Sequence, residues 1–349
     1  MKFSTVATLV GRNIEVYARR VLRRNPRPYK VLMELTNHCN SRCQTCSIWK
    51  NDARLPQNEM TPEIVENFFR TYGSHLFWLA LSGGEITLYR NFAFLVSCIK
   101  KYGRHLKLIT FTTNGLNPHK ALEYALQLKE LGTDLFITIS LDGDAKNHDY
   151  IRGVPGNYKR AWQTYSLLKE NGILVHWGLT ASSLNQDYVQ EGNPELSQFK
   201  AITFAHSGGI YEQENAQDDN RLSEQMKVLA KNYRITSLGE IVEWLYLKLS
   251  YRFLISGQQM AIPCEVISTN VHIRSNGYVQ PCMFVEKIGD LAKQSLNQIL
   301  AEPSIYERMD KYRKGDCPKC WMNCYAPHSM MQHPLKALYY SLRSYRAKS

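Results

Sequence analysis

Six short runs of mostly apolar residues lie between positions 30 and 206, separated by stretches of helical period. They are KVLMELT (30–36), FWLALS (77–82), KLITFTT (107–113), LFITISL (135–141), ILVHWGLT (173–180) and AITFAH (201–206). Runs of this length and continuity predict buried strands. The intervening spacing predicts helices near 62–72, 90–102, 118–131, 157–171 and 185–198, the first opened by Thr61 as N-cap and Pro62 in its first turn. Buried strands alternating with helices make parallel β/α units. Six of them predict an α/β fold, a partial (β/α)6 barrel whose chemistry collects at the C-terminal ends of the strands.

The pattern then changes. A polar stretch, Glu212–Arg221, precedes helical segments that include Ile241–Leu254, and a cysteine-rich tail follows with one hairpin, Val271–Pro281, turning at Asn276-Gly277. The expected organisation is a basic amphipathic helix (1–29), the barrel (30–206), a helical connector (207–261), a small cysteine-rich domain (262–328) and a basic C-terminal helix (329–349). Phe3, Val6, Val10, Ile14, Tyr17 and Val21 recur at helical spacing in the first segment, and Leu335, Leu338 and Leu342 in the last. Such basic amphipathic helices either lie on an anionic membrane surface or cover the barrel with their bases facing solvent.

Charge sharpens this picture. The chain carries a net +12, of which residues 1–30 hold +7 and residues 331–349 hold +4, leaving the body near neutral. A nucleic-acid enzyme would line its working face with bases, so nucleic acid is disfavoured as a partner. No run approaches 18 uncharged apolar residues, and the N-terminus lacks the apolar core of a secretory signal. The expected location is therefore the cytoplasm, with the tails able to touch the inner membrane face. Nine cysteines in such a chain point to metal or redox chemistry rather than disulfides.

Three of those cysteines, Cys39, Cys43 and Cys46, form a C-x3-C-x2-C cluster directly after the first strand. Three thiolates on one loop suit three corners of a cubane iron–sulfur cluster with one iron left open; zinc, with His38 as fourth ligand, is the alternative. The later strands end in Ser82-Gly83-Gly84-Glu85, Thr112-Thr113-Asn114-Gly115 and Ser140-Leu141-Asp142-Gly143, the last followed by Arg152-Gly153. Paired glycines let a backbone approach a ligand closely, an acid can accept from an amine, and an arginine fork suits a carboxylate.

This ordered series resembles the radical S-adenosylmethionine (radical SAM) superfamily over roughly residues 30–205. The resemblance implies a [4Fe-4S] cluster on Cys39, Cys43 and Cys46, with S-adenosylmethionine on its open iron. It implies cofactor contacts at Gly83, Gly84, Glu85, Thr113, Asn114, Ser140, Asp142 and Arg152. One departure is Thr45, where the family often has an aromatic against the adenine; Ile48 or Trp49 could substitute. Cys264, Gly277-x4-Cys282 and Cys317-x2-Cys320-x3-Cys324 resemble the family's auxiliary-cluster extension, SPASM in its long form and twitch in its short form. Five thiols suffice for one auxiliary [4Fe-4S] cluster with one to spare, the spare being one of Cys317, Cys320 and Cys324; a zinc ribbon is the alternative.

The implied activity is reductive cleavage of S-adenosylmethionine to a 5′-deoxyadenosyl radical. That radical removes hydrogen from a substrate, giving oxidation or epimerisation, with an external electron donor such as flavodoxin or ferredoxin. A small-molecule, sugar or lipid-linked substrate is the first expectation, and a peptide or protein side chain the second. The remaining reading is a zinc-stabilised basic binding protein, which leaves the strand-end motifs unexplained. Cys98 reads as a buried apolar thiol and His206 as a structural histidine.

Overall fold

The computed structural model describes residues 2–51, 55, 58–206, 219–257 and 261–344. Six parallel strands, β1 (Lys30–Glu34), β2 (Trp78–Ser82), β3 (Leu108–Thr113), β4 (Asp134–Ser140), β5 (Leu174–Ala181) and β6 (Phe199–Phe204), follow one another in spatial order. Helices α2 (Pro62–Tyr72), α3 (Phe92–Tyr102), α4 (Pro118–Lys129), α5 (Ala145–Arg152) and α6 (Asn157–Glu170) cross between them, after the N-terminal α1 (Phe3–Val21). Thr61 caps α2 by accepting from the Ile64 N–H, with Pro62 in the first turn as its sequence predicts.

Two expectations are corrected. β1 is buried along its whole length, as expected, and Val31, Leu79, Ile109 and Ile137 point into the helical layer at 0% exposure, each stabilising the fold by about 1.5–3 kcal/mol. But β3, β4 and β5 are buried mainly on one face. Their other faces open onto the barrel interior, where Thr110, Thr138, Ser140 and Thr180 remain partly exposed. The helix expected over 185–198 is absent. Two short 3-10 turns, Ser183–Asn185 and Pro194–Gln198, stand there instead, because Gly192 at φ 89° and Pro194 break the segment.

Beyond the barrel come α7 (Asp219–Asn232) and α8 (Leu238–Ile255), then β7 (Asn270–Ile273), β8 (Tyr278–Gln280), β9 (Gly289–Asp290), α9 (Leu296–Ala301), α10 (Ser304–Arg313), α11 (Ala326–Gln332) and α12 (Pro334–Leu342). Most of the polar stretch expected at 212–221 lies outside the described residues. The hairpin is not a detached module. β7 pairs in parallel with β1, Lys30 opposite Asn270 through Met33 opposite Ile273, and extends the barrel into one nine-stranded sheet. The cysteine-rich tail is thereby fixed to the strand that carries the first cysteine loop.

Candidate functional site

Cys39, Cys43 and Cys46 lie on the loop leaving β1, and most strand-end motifs are spent holding that loop. The Gly84 N–H donates to the Thr36 carbonyl at 2.6 Å and the Glu85 N–H to the His38 carbonyl at 2.7 Å. A Cβ at Gly84 would fall on the His38 carbonyl oxygen, and one at Gly83, whose φ is 139°, on that of Thr36. The paired glycines thus admit the backbone of residues 36–38.

Glu85 is held by the same strand ends. It is 1% exposed, and its Oε1 accepts from Thr87 Oγ1 at 2.8 Å, the Thr87 N–H at 3.2 Å and Thr113 Oγ1 at 2.7 Å. Its Oε2 accepts from the Asn114 N–H at 2.8 Å. Burial pushes the carboxyl pKa above its usual range against those four donors. It braces the ends of β2 and β3. Asn114 extends the brace, donating from Nδ2 to Asn40 Oδ1 at 2.8 Å and Ser41 Oγ at 2.9 Å inside the cysteine loop.

The other side of the loop rests on α5. Arg42 and Gln44 donate their N–H groups to the Arg152 and Ile151 carbonyls at 2.9 and 2.8 Å. Arg152 Nη2 pairs with Asp142 Oδ2 at 2.7 Å, and Nη1 lies 3.8 Å from Cys43 Sγ. Asp142 also accepts the Thr180 N–H through Oδ1 at 3.2 Å. Arg152 Nε is buried without a partner, in a guanidinium whose charge acts on Cys43 and Cys46. Ser140 sits on the interior face of β4, opposite Gly178. Trp49 is held near the loop by its Nε1, which donates to the Cys43 carbonyl at 3.3 Å.

Burial, aided by the charges of neighbouring thiolates, pushes the Cys39 and Cys46 thiols up to about 12 and about 11. An electron-poor metal cluster would offset that repulsion, and an all-thiolate donor set suits iron–sulfur. Among the described residues no three Cys, His, Asp or Glu groups are placed to hold a single metal ion.

The tail thiols divide four and one. Cys264, just before β7, and Cys282, just after β8, lie within electrostatic reach of Cys317, and Cys320 within reach of all three. Burial first, then this mutual repulsion, raises Cys264 to about 12 and Cys282 to about 11. The charged groups acting on Cys324 are Lys30 and Glu243 instead, and its Sγ lies 3.5 Å from Asn323 Oδ1.

His206 joins the tail to the barrel. Its Nδ1 donates to the Phe204 carbonyl at 2.8 Å and its Nε2 accepts the Trp321 N–H at 3.3 Å; burial lowers its pKa to about 4, so it stays neutral. Cys98 is 3% exposed on α3. Both match the structural readings.

Sequence reasoning missed two buried polar groups in the first run, KVLMELT. Glu34 lies 2.9 Å from His272 Nε2 and 3.1 Å from Arg274 Nε. Lys30 donates to the Cys324 carbonyl at 3.0 Å and to His328 Nε2 at 2.9 Å. A charge at each end of an otherwise apolar strand was the available signal.

Residues 33–182 match the family profile of the radical SAM superfamily, and residues 264–325 that of the SPASM iron–sulfur cluster-binding domain. The sporulation killing factor maturation protein SkfB of Bacillus subtilis is 25% identical over 280 residues, covering 78% of this chain and 64% of SkfB. The pre-heme d1 synthase of Dinoroseobacter shibae is 30% identical over 173 residues, 49% of this chain and 41% of that enzyme. The chain thus spans less than two thirds of either relative. Among solved structures, anSMEcpe with bound AdoMet superposes with a TM-score of 0.61 at 16% identity, covering 91% of this chain and 99% of that one, a likeness of fold.

Proposed function

Because this chain is a radical SAM enzyme with a C-terminal SPASM domain, we propose that it modifies a peptide side chain by hydrogen abstraction. It works with a SAM-binding [4Fe-4S] cluster, S-adenosylmethionine and an auxiliary iron–sulfur cluster. When bound, the first cluster supplies the electron that splits S-adenosylmethionine into methionine and the hydrogen-abstracting radical. Cys39, Cys43 and Cys46 would hold that cluster; Cys264, Cys282, Cys317 and Cys320 would hold the auxiliary one, with Cys324 outside it. Arg152, oriented by Asp142, offers its free Nε to a carboxylate.

One observation carries the peptide reading ahead of the small-molecule one expected first. The relative matched over most of this chain, across both domains, is a peptide maturase. A second reading, a tetrapyrrole substrate, draws on the shorter matches to pre-heme d1 synthase and to Fe-coproporphyrin III synthase of Methanosarcina barkeri.

The test is anaerobic reconstitution with iron and sulfide, metal counting, and assay of 5′-deoxyadenosine after adding S-adenosylmethionine and reductant. About eight irons per chain, with deoxyadenosine formed, is the expected result. Turnover should then rise with precursor peptides encoded beside the gene. A rise with porphyrins alone would favour the second reading, and zinc in place of the second four irons would make the tail structural.

A further inference from the structure

Helix α1 packs Val16 against Tyr29 and Phe77 and turns Arg20 toward the protein, while a second apolar side faces away from it. Arg12 and Arg19 each pair with Glu15 at 2.9 Å, and Arg20 pairs at 2.6 Å with Glu265, which is wholly buried. Asn13, on the same side, accepts from Gln332 Nε2 of α11 at 2.7 Å. The opposite side carries Phe3, Val10, Ile14, Tyr17 and Val21, each between 54% and 86% exposed, and no charged residue. A helix covering a barrel buries its apolar stripe, so the expectation of solvent-facing bases on this helix is corrected for Arg12, Arg19 and Arg20.

Helix α12 has the same chemistry. Ala337 and Ser341 face inward, while Leu335, Leu338, Tyr339 and Leu342 are exposed beside Lys336 and Arg343. Ten of the seventeen exposed large hydrophobics among the described residues lie on these two helices or the Leu22 cap of α1, so the exposure is local rather than the scatter normal for a surface. The two helices share an anchor: His333, at the start of α12, contacts the Glu265 carboxylate that also holds Arg20. A cleft of about 400 Å³ at the C-terminal end of α1 is lined by Arg19, Arg20, Arg23, Arg24, Arg27 and Arg313. Arg23 and Arg24 are exposed, and among the described residues neither pairs with a carboxylate.

We propose that this face docks on an anionic phospholipid bilayer. The apolar sides of α1 and α12 enter the boundary between headgroups and acyl chains, and the arginine cleft takes lipid phosphates. No helix among the described residues is long and apolar enough to cross a membrane, so the contact is with one leaflet. A second copy is the poorer occupant, because it would bring two termini of +7 together.

The experiment is flotation of the full-length, cluster-loaded protein with vesicles of phosphatidylcholine alone or mixed equally with phosphatidylglycerol. Flotation is expected with the mixed vesicles and to weaken with salt. Ile14→Glu should lower partitioning at least tenfold while leaving iron content and far-UV circular dichroism unchanged. Arg23→Glu and Arg24→Glu should each lower it by roughly fivefold or more, and they test the proposal independently if Ile14→Glu does not fold. No flotation with the mixed vesicles at low salt would overturn the proposal, as would flotation that neither kind of variant alters. So would a dimer that Ile14→Glu dissociates without any vesicle binding, or binding of inorganic phosphate alone.

Discussion

Arg152 and Asp142 form a 2.7 Å ion pair, almost wholly buried on the aspartate side, that aims the guanidinium at Cys43 Sγ 3.8 Å away. The pair joins the end of β4 to the cysteine loop through α5. It makes the position of the first three thiols depend on residues 96 or more positions downstream.

Removing the acid should leave the arginine buried and uncompensated. Asp142→Ala is expected to destabilise the protein by about 3 kcal/mol, read by urea unfolding, and to lower deoxyadenosine formation at least tenfold. Arg152→Ala should cost activity similarly. A wild-type rate in either variant would leave the pair with no part in the site.

The Glu85 brace makes a different prediction. In Glu85→Gln the Asn114 N–H meets an amide NH2 or loses its acceptor, costing about 1–3 kcal/mol. The cysteine loop should loosen, so iron retained by the first cluster, measured after gel filtration, falls while auxiliary iron stays.

Two glycines on this chain should respond in opposite ways to a methyl group. Gly84→Ala puts Cβ on the His38 carbonyl and is expected to abolish iron loading of the first loop. Gly11→Ala, in the middle of α1 with nothing within 4 Å, should stabilise by up to about 1 kcal/mol through helix propensity. Thermal melts of both variants check this directly.

Cysteine replacements separate the tail thiols. Cys264→Ser, Cys282→Ser, Cys317→Ser and Cys320→Ser should each lose roughly four irons per chain. Cys324→Ser should retain the full count, since its charged neighbours are Lys30 and Glu243. Loss of auxiliary iron in Cys324→Ser would move it into the ligand set.

Glu243 gives the protein a pH dependence. Burial raises its carboxyl from 4.5 to about 8, against the nearby Lys30 charge. The folded chain therefore keeps a proton that the unfolded chain releases above pH 4.5. The stability so gained is complete below that value and is lost as pH rises toward about 8. Glu243→Gln, neutral throughout, should flatten the fall in urea-unfolding free energy between about pH 5 and pH 7. Lys30, lowered to about 8 by its own burial, works in the opposite sense and mostly above that window.

The sequence by itself determined the parallel barrel, the chemistry class and where the cysteines cluster along the chain. Strand runs such as LFITISL and the spacing of Cys39, Cys43 and Cys46 are local features, set by a repeat of a few residues and by the reach of one short loop. Its limit shows in Gly83, Gly84, Glu85 and Asn114: the motif letters marked the right place, but the partners that occupy them, Thr36, His38, Asn40 and Ser41, lie tens of residues away along the chain. Tertiary structure alone decided three further things. β7 joins β1, so the two cysteine groups share one sheet. Cys324, four residues after Cys320, lies within reach of the buried Lys30 and Glu243 side chains. And α1, whose periodicity shows an apolar stripe but not what it faces, turns that stripe outward because buried Glu265 holds Arg20 and because Val16, on the other side, packs against Tyr29 and Phe77. Periodicity fixes which residues share a face; only the packed neighbours fix which way the face points.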